Sequence, residues 1–294
     1  MLTMKLASST KAPVINRTVL MSGADYFDVV ALNPYSFYTT PVDRSQAKRD
    51  FATIQKALRK AGITIESVPA PKGCQDGIFT ANWGITRGDV AVLSSLPAQR
   101  AAEEAFAKAA LEQRGFRVLK PPYRFSGQGD ALPCGDFLFA GSGYRTDPRV
   151  HDFLAAELGY QVISVNAVPQ LNEQGQPVIN ELSGWPDSFF YDIDLAISIL
   201  SPELIAWFPG AFTPESQAAI RATPMRKIEV SEQDAMNFAC NLVSTGSHVV
   251  MGNRAPDLQK AIEAEGLQVT TVDVRELLKG GGFIRCTTLT LDNQ

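Results

Sequence analysis

The chain has 294 residues, 45% hydrophobic and 20% charged, with a net charge of −4. That length and apolar content allow a substantial core, and the slight acidity supplies no basic face for nucleic acid. Four cysteines are too few for a disulfide framework, and no Cys-x-x-Cys or His/Cys cluster has zinc-ligand spacing. No metal, organic cofactor or nucleic-acid partner is expected.

The opening stretch, Met1-Leu-Thr-Met-Lys-Leu-Ala-Ser-Ser-Thr, is basic but lacks the apolar centre of a signal peptide. The longest apolar candidate for a membrane span, residues 195–208, is broken by Ser198, Ser201, Pro202 and Glu203. The expectation is a soluble, cytoplasmic protein in a reducing compartment, with no membrane partner.

In chain order, apolar periodicity and polar starts predict amphipathic helices over residues 45–61, 98–115, 148–158, 214–222 and 255–266. A short β-rich run follows each one: 63–68, 116–119, 160–165, 226–230 and 267–272. Further apolar segments lie between one such run and the next helix. They are 79–85 with 90–93, 137–140, 191–200 with 204–208, and 239–243 with 248–251. The pattern is a strand–strand–helix–strand cassette recurring about five times, at roughly 40 to 65 residues per copy. No Gly-rich nucleotide loop follows a strand; Gly127-Gln-Gly-Asp and Gly141-Ser-Gly-Tyr-Arg lack the third glycine and the helix. Nor does a Pro/Gly/Ser-rich linker divide the chain, so residues 1–294 are expected to form one α/β domain.

Polar residues concentrate in four apolar settings. They are Asp76-Gly-Ile-Phe-Thr-Ala-Asn-Trp, Phe125-Ser-Gly-Gln-Gly-Asp-Ala-Leu leading to Phe139-Ala-Gly-Ser-Gly-Tyr-Arg-Thr-Asp, Phe189-Phe-Tyr-Asp-Ile-Asp-Leu-Ala-Ile, and Gly280-Gly-Gly-Phe-Ile-Arg-Cys-Thr-Thr. Strand alternation would put Asp192 and Asp194 on one face, where two adjacent carboxylates are costly in a closed core and better explained by an open pocket. A solvated strand face is the plainer alternative. Cys286 follows a glycine run that allows close backbone approach to a ligand, and Arg285 would favour its thiolate if the two side chains faced the same way. Cys74, Cys134 and Cys240 lack such a setting.

These segments resemble the guanidino-group-modifying superfamily, the penteins, which includes amidinotransferases, arginine deiminases, dimethylarginine dimethylaminohydrolases and arginine dihydrolases. The similarity runs from Asp25-Tyr-Phe-Asp and Asn33-Pro-Tyr to the terminal cysteine motif. Its most specific part is the order Phe-Thr-x-Asn, Gly-Asp-Ala-Leu, Gly-Tyr-Arg-Thr, x-x-Asp, Gly-Gly-Gly-Phe-x-x-Cys. The resemblance implies a five-bladed α/β propeller of pseudo-fivefold ββαβ repeats, with an active site on the axis and no cofactor. It also implies that Cys286 attacks a guanidino or ureido carbon and that water resolves the covalent intermediate. Asp192 and Asp194 would be catalytic; Asp76, Phe79, Asn82, Ser126, Asp130 and Arg145 would bind substrate, Arg145 through its α-carboxylate.

The chain departs from the pattern in three places. Asp192 stands where the family usually has the general acid/base histidine, and neither His151 nor His248 replaces it. Ser126 stands for a frequent glutamate, and Asn82 for the aspartate of deiminases. A cationic guanidinium favours carboxylates, whereas a neutral ureido group can be held by amides and hydroxyls. The leading expectation is therefore a cysteine-dependent hydrolase acting on citrulline to give ornithine, carbon dioxide and ammonia, with Asp192 moving protons. The alternatives are an arginine deiminase or dihydrolase, a dimethylarginine dimethylaminohydrolase, or a catalytically silent member that binds an amino acid or a partner protein. Assembly into a homo-oligomer is left open.

Overall fold

A computed structural model describes residues 14–29, 40–181 and 184–294. The opening decapeptide and the Asn33-Pro-Tyr motif lie outside them. Strand β1 (Thr18–Met21), helix α1 (Arg44–Lys60) and strand β2 (Thr64–Ser67) open the chain. Then come β3 (Gly84–Arg87), β4 (Val90–Leu93), α2 (Glu103–Glu112) and β5 (Arg117–Leu119), followed by β6 (Ala131–Cys134), β7 (Phe137–Ser142), α3 (Val150–Leu158) and β8 (Gln161–Asn166). The fourth set is β9 (Ile197–Ser201), β10 (Leu204–Trp207), α4 (Pro214–Ala222) and β11 (Arg226–Glu229). A short α5 (Glu232–Ala235) leads to β12 (Val243–Ser244), β13 (His248–Gly252), α6 (Pro256–Ala264) and β14 (Gln268–Val272); β15 (Leu289–Thr290) ends the series.

These strands form five three-stranded sheets among the described residues. In each, the first strand pairs antiparallel with the second, which pairs in parallel with the third across a helix. The remaining sheet joins the two ends of the chain. β15 pairs antiparallel with β1 through Val19↔Thr290 and Leu20↔Leu289, and β1 pairs in parallel with β2. The inner strands pack on one another, β6 against β9, β9 against β12 and β15 against β3. The result is the five-bladed α/β propeller that the resemblance implied.

Local sequence explains the elements. Helix α1 starts where Asp43 accepts the Gln46 N–H at 2.9 Å, and it buries Ala47, Phe51, Ile54 and Leu58 at helical spacing. Asp50 on the same buried face accepts the backbone N–H groups of Arg275 and Glu276 at 2.8 and 2.9 Å, which ties the first blade to the last. Trp83, Trp207, Phe139 and Phe212 are among the largest side chains buried in the core.

Three expectations need correction. Residues 79–85 are not one strand, because Thr80–Trp83 form a 3₁₀ turn and β3 begins only at Gly84. Helix α2 starts at Glu103 rather than at residue 98, because residues 97–100 form a turn that carries the Arg100 side chain inward, onto Glu103. Residues 191–195 are not strand. Asp192 is extended, residues Ile193–Leu195 make a 3₁₀ turn, and β9 begins only at Ile197. The carboxyl of Asp130 captures the Ile193 N–H at 3.1 Å and draws the backbone out of strand geometry. Asp192 and Asp194 therefore do not lie side by side on a strand face.

Leu289 is fully buried on the strand that closes the ring. Leu289→Ala should lower the unfolding free energy by about 3 kcal/mol in urea denaturation, as expected for a large-to-small change in a packed core. An unchanged midpoint would mean that the closing strand carries little of the stability.

Candidate active site

Four of the five inner strands are preceded by a tight turn, and the chain arrives at the fifth, β12, through residues 238–241. Each approach places a polar side chain within three residues of the strand: Asn82 before β3, Asp130 before β6, Asp194 before β9, Asn241 before β12 and Cys286 before β15. All five are buried. The pseudo-fivefold fold thus gathers residues distant in sequence at one end of the axis.

Cys286 lies in the 3₁₀ turn Arg285–Thr287. Its backbone N–H donates to Asn241 Oδ1 at 3.2 Å, and Asn241 Nδ2 donates to Cys286 Sγ at 3.1 Å. Asp194 Oδ2 is 3.4 Å from the same sulfur, and Asp194 Oδ1 is buried with no hydrogen-bond partner. Burial first, and then the neighbouring Asp194, push the Cys286 thiol well above its ordinary range. Burial and repulsion from Asp192 likewise raise the Asp194 carboxyl. Without a ligand, the pair favours the neutral thiol and the protonated acid.

Asp192 belongs to a second network. Its Oδ1 accepts from Ser126 Oγ at 2.7 Å, its Oδ2 accepts from Asn82 Nδ2 at 2.9 Å, and Arg145 Nη1 lies 3.5 Å from Oδ2. Gly129 makes this approach possible, because a Cβ there would stand 2.6 Å from both Asn82 Nδ2 and Asp192 Oδ2. The Asn82 amide is turned by Arg100, whose Nη1 donates to Asn82 Oδ1 at 2.8 Å. Arg100 is itself fixed by two 2.8 Å bonds to Glu103, a buried ion pair that also receives the Trp83 indole N–H.

Above Cys286 a narrow pocket of about 40 Å³ is lined by Asp76, Phe79, Asn82, Arg145 and Cys286 among others. Burial raises Asp76 to about 6, against the opposing pull of Arg100. Arg145 lies 3.9 Å over the ring of Tyr191, whose hydroxyl donates to Gly281 O at 2.6 Å. A Cβ at Gly282 would meet the Phe79 ring at 2.6 Å, so this glycine lets the cysteine loop pack against the pocket wall.

Five of the nine predicted site residues, Asp76, Phe79, Asn82, Arg145 and Cys286, meet in this pocket. Asp192 and Asp194 lie beneath it, buried. Ser126 and Asp130, expected at the substrate, stand behind it. Ser126 serves Asp192, while Asp130 accepts from Thr146 Oγ1 at 2.6 Å and from Ile193 N, with burial and Asp192 raising its carboxyl to about 8. Arg285 does not reach the thiol; its guanidinium goes to Gln128 and Thr290. His151 bonds Ser164 and Gly141 O, and His248 bonds Thr270, so neither histidine enters the site.

Sequence reading missed Asn241 and three residues that also line the pocket, Arg100, Tyr191 and Asp187. Asn241 could have been found by aligning the five cassettes, since it occupies the strand-entry position that Asn82, Asp130, Asp194 and Cys286 occupy elsewhere. Arg100 had no signal, because a predicted helix covered it.

A five-bladed ring of ββαβ units with a thiol and carboxylates at its axis belongs to the guanidino-group-modifying superfamily, and the relatives of this chain make it a hydrolase of carbon–nitrogen bonds other than peptide bonds. Residues 39–292 match the model of the eukaryotic N,N dimethylarginine dimethylhydrolase family, and the chain belongs to that family. It is 31% identical over 287 residues to the N(G),N(G)-dimethylarginine dimethylaminohydrolase of Mycobacterium tuberculosis, covering 97% of this chain and 89% of that protein. The bifunctional arginine dihydrolase/ornithine cyclodeaminase AgrE of Nostoc is 32% identical over 92% of this chain, which spans only 37% of AgrE. The crystal structure of the N-terminal domain of ArgZ, covalently bound to a reaction intermediate, has a TM-score of 0.84 at 29% identity. The match covers 94% of this chain and 98% of that one. The dimethylarginine dimethylaminohydrolase of Pseudomonas aeruginosa, at 17% identity and a TM-score of 0.72, covers 94% of this chain and 99% of its own and shares the fold.

Asn241 opposes the rise in the thiol by donating to sulfur. In a Cys74→Ser background, Cys286 alkylation by iodoacetamide should still be accelerating at pH 9, since thiolate forms only as pH climbs towards the raised pKa. Asn241→Ala should shift that rise to higher pH and slow alkylation severalfold at pH 8. A superimposable pH profile would remove Asn241 from control of the thiol.

Proposed function

We propose that this protein hydrolyses a carbon–nitrogen bond in the guanidino group of an arginine-like amino acid, through a covalent adduct on Cys286. The observation that carries this reading is the buried Asp194 carboxyl, with one oxygen 3.4 Å from the thiol and the other without a partner. A guanidinium inserted there would give Asp194 Oδ1 its missing donor and place a positive charge beside both raised groups. That charge favours carboxylate and thiolate together, so the substrate itself activates the nucleophile. A neutral ureido group lacks the charge to do so.

Cys286 Sγ then adds to the guanidino carbon, and the C–N bond breaks as the proton given up by the thiol, passed by way of Asp194, ends on the departing nitrogen, which leaves as ammonia or an amine. Water adds to the resulting thiouronium carbon, the C–S bond breaks, and the thiol is restored with a ureido product. Asp192 is the base proposed for that water. Asn82 and Ser126 hold its two oxygens in place, and Arg145 leaves it when substrate binds. Arg145 then meets the substrate's α-carboxylate, and Asp187 at the pocket wall meets its α-ammonium.

The expectation of citrulline rested on Asn82 and Ser126 as neutral contacts for a neutral head group. Their hydrogen bonds to Asp192 give both residues another reason to be neutral. Relatives named for activity on dimethylarginine and on arginine support the guanidino reading.

Purified enzyme should be offered arginine, methylated arginines and citrulline in parallel, with ammonia, amine, citrulline and ornithine measured. Turnover of a guanidino compound, abolished in Cys286→Ala and reduced about 100-fold or more in Asp194→Asn, is expected. Consumption of citrulline alone would reinstate the ureidase reading. Failure on every compound, together with tight binding of one, would favour a silent member of the fold.

For Arg145→Gln, KM should rise about 10- to 100-fold with a smaller change in kcat, the cost of one charge-assisted contact to the substrate. An unchanged KM would place the α-carboxylate elsewhere.

A further inference from the structure

A second and larger cavity, about 260 Å³, has no lining residue in common with the Cys286 pocket. The Cys286 pocket sits where the chain enters the inner strands. The larger cavity is lined by Leu132 of β6 and by Ser198 and Ile199 of β9, together with residues at strand entries, Leu242 and Arg285. The reaction proposed above makes no use of it.

Its walls join apolar side chains to polar ones, among them Asn16, Arg17, Ser198, Arg285, Asp292 and Asn293. Arg285 is buried, and its two recorded bonds go to neutral oxygens, Thr290 Oγ1 at 3.0 Å and Gln128 Oε1 at 2.8 Å. Ser198 is 4% exposed, and its hydroxyl finds no hydrogen-bond partner of good geometry, with only the weakly accepting Cys240 thiol beside it. Asn293 Nδ2 is likewise buried and unpartnered. The acidic side chain on the wall, Asp292, is already engaged, with its two oxygens accepting the Arg17 and Thr18 N–H groups at 3.1 Å. Buried donors without acceptors are costly, and a buried guanidinium bonded only to neutral oxygens remains a site of positive potential. The arrangement needs an acceptor, and an anionic one suits it best.

We propose that this cavity is a second ligand site for a small aliphatic carboxylate. Its carboxylate meets Arg285, Ser198 Oγ and Asn293 Nδ2, and its hydrocarbon end packs on Leu132, Ile199 and Leu242. The volume suits a ligand of a few carbons, smaller than most cofactors. The apolar part of the wall, Leu132, Ile199 and Leu242, favours a carboxylate with a branched alkyl end over inorganic phosphate, which would leave that part wetted.

The test is calorimetric titration of the full-length protein with isovalerate and with its neutral isostere isovaleramide. Isovalerate should bind saturably with a Kd near or below about 1 mM, and the amide at least tenfold more weakly. Arg145→Gln, which alters only the Cys286 pocket, should leave isovalerate binding unchanged. Ser198→Val and Asn293→Leu should each weaken it tenfold or more, and Asn293, near the chain end, keeps the test informative if Ser198→Val does not fold. The proposal is overturned by any of three results: equal binding of acid and amide, no saturable binding of isovalerate, or loss of binding in Arg145→Gln but not in the folded cavity variants.

Discussion

The orientation of one side-chain amide organises the polar centre of this protein. Glu103 holds Arg100, Arg100 donates to Asn82 Oδ1, and Asn82 Nδ2 is thereby left to donate to Asp192. The direction of the amide is set by chemistry, since Arg100 can only donate and the opposite flip would set donor against donor. An aspartate at position 82 would accept from Arg100 but meet Asp192 as a second carboxylate. An acid at position 126 would do the same from the other side. Once an aspartate stands at position 192, neutral donors at 82 and 126 are what the local electrostatics require.

This changes the meaning of the three departures from the family pattern. Taken one by one, Asp192, Asn82 and Ser126 look like losses: a missing base and two missing acids. In three dimensions they form a single unit bound by contacts of 2.7 to 3.0 Å. Substituting one without the others would create either a buried repulsion or a buried unsatisfied donor. The neutral residues are explained by the carboxylate they touch, and they say little about the charge of the substrate. The substrate's charge is better read at Asp194, where an oxygen without a hydrogen-bond partner stands beside the thiol.

Much of the fold was legible because each blade repeats the same demand: an apolar inner strand, an amphipathic helix and a parallel return strand. Pro214–Ala222 was readable to the residue, with Thr213 accepting from Ser216 N and Pro214 at the first helical position. β6 and the closing pair β1–β15 escaped. They are only two to four residues long, too short to show a period, and the last pair joins segments separated by nearly the whole chain. In the site, residue types were readable and their partners were not. Asp192 and Asp194 stand two apart in sequence, yet they belong to different networks because Asp130 bends the backbone between them. Ser126 and Asp130 were correctly singled out as unusual, but nothing local says whether a polar side chain faces a ligand or another polar side chain.

That distinction bears on how a site without histidine can work. An imidazole at position 192 would carry its own proton donor and acceptor and would need little from its neighbours. A carboxylate carries acceptors only, so its proton traffic is governed by the donors around it. Here one of those donors, Arg145, also lines the pocket and rests on Tyr191 without a carboxylate of its own closer than 3.5 Å. Such a contact is long for a charge-assisted bond and is readily exchanged for a better one. In the proposed reaction a substrate carboxylate would recruit Arg145, leaving Asp192 held by Asn82 and Ser126 and open to a water. Substrate binding and access to Asp192 would thereby be linked through one arginine, a coupling that an imidazole carrying its own donor and acceptor would not need.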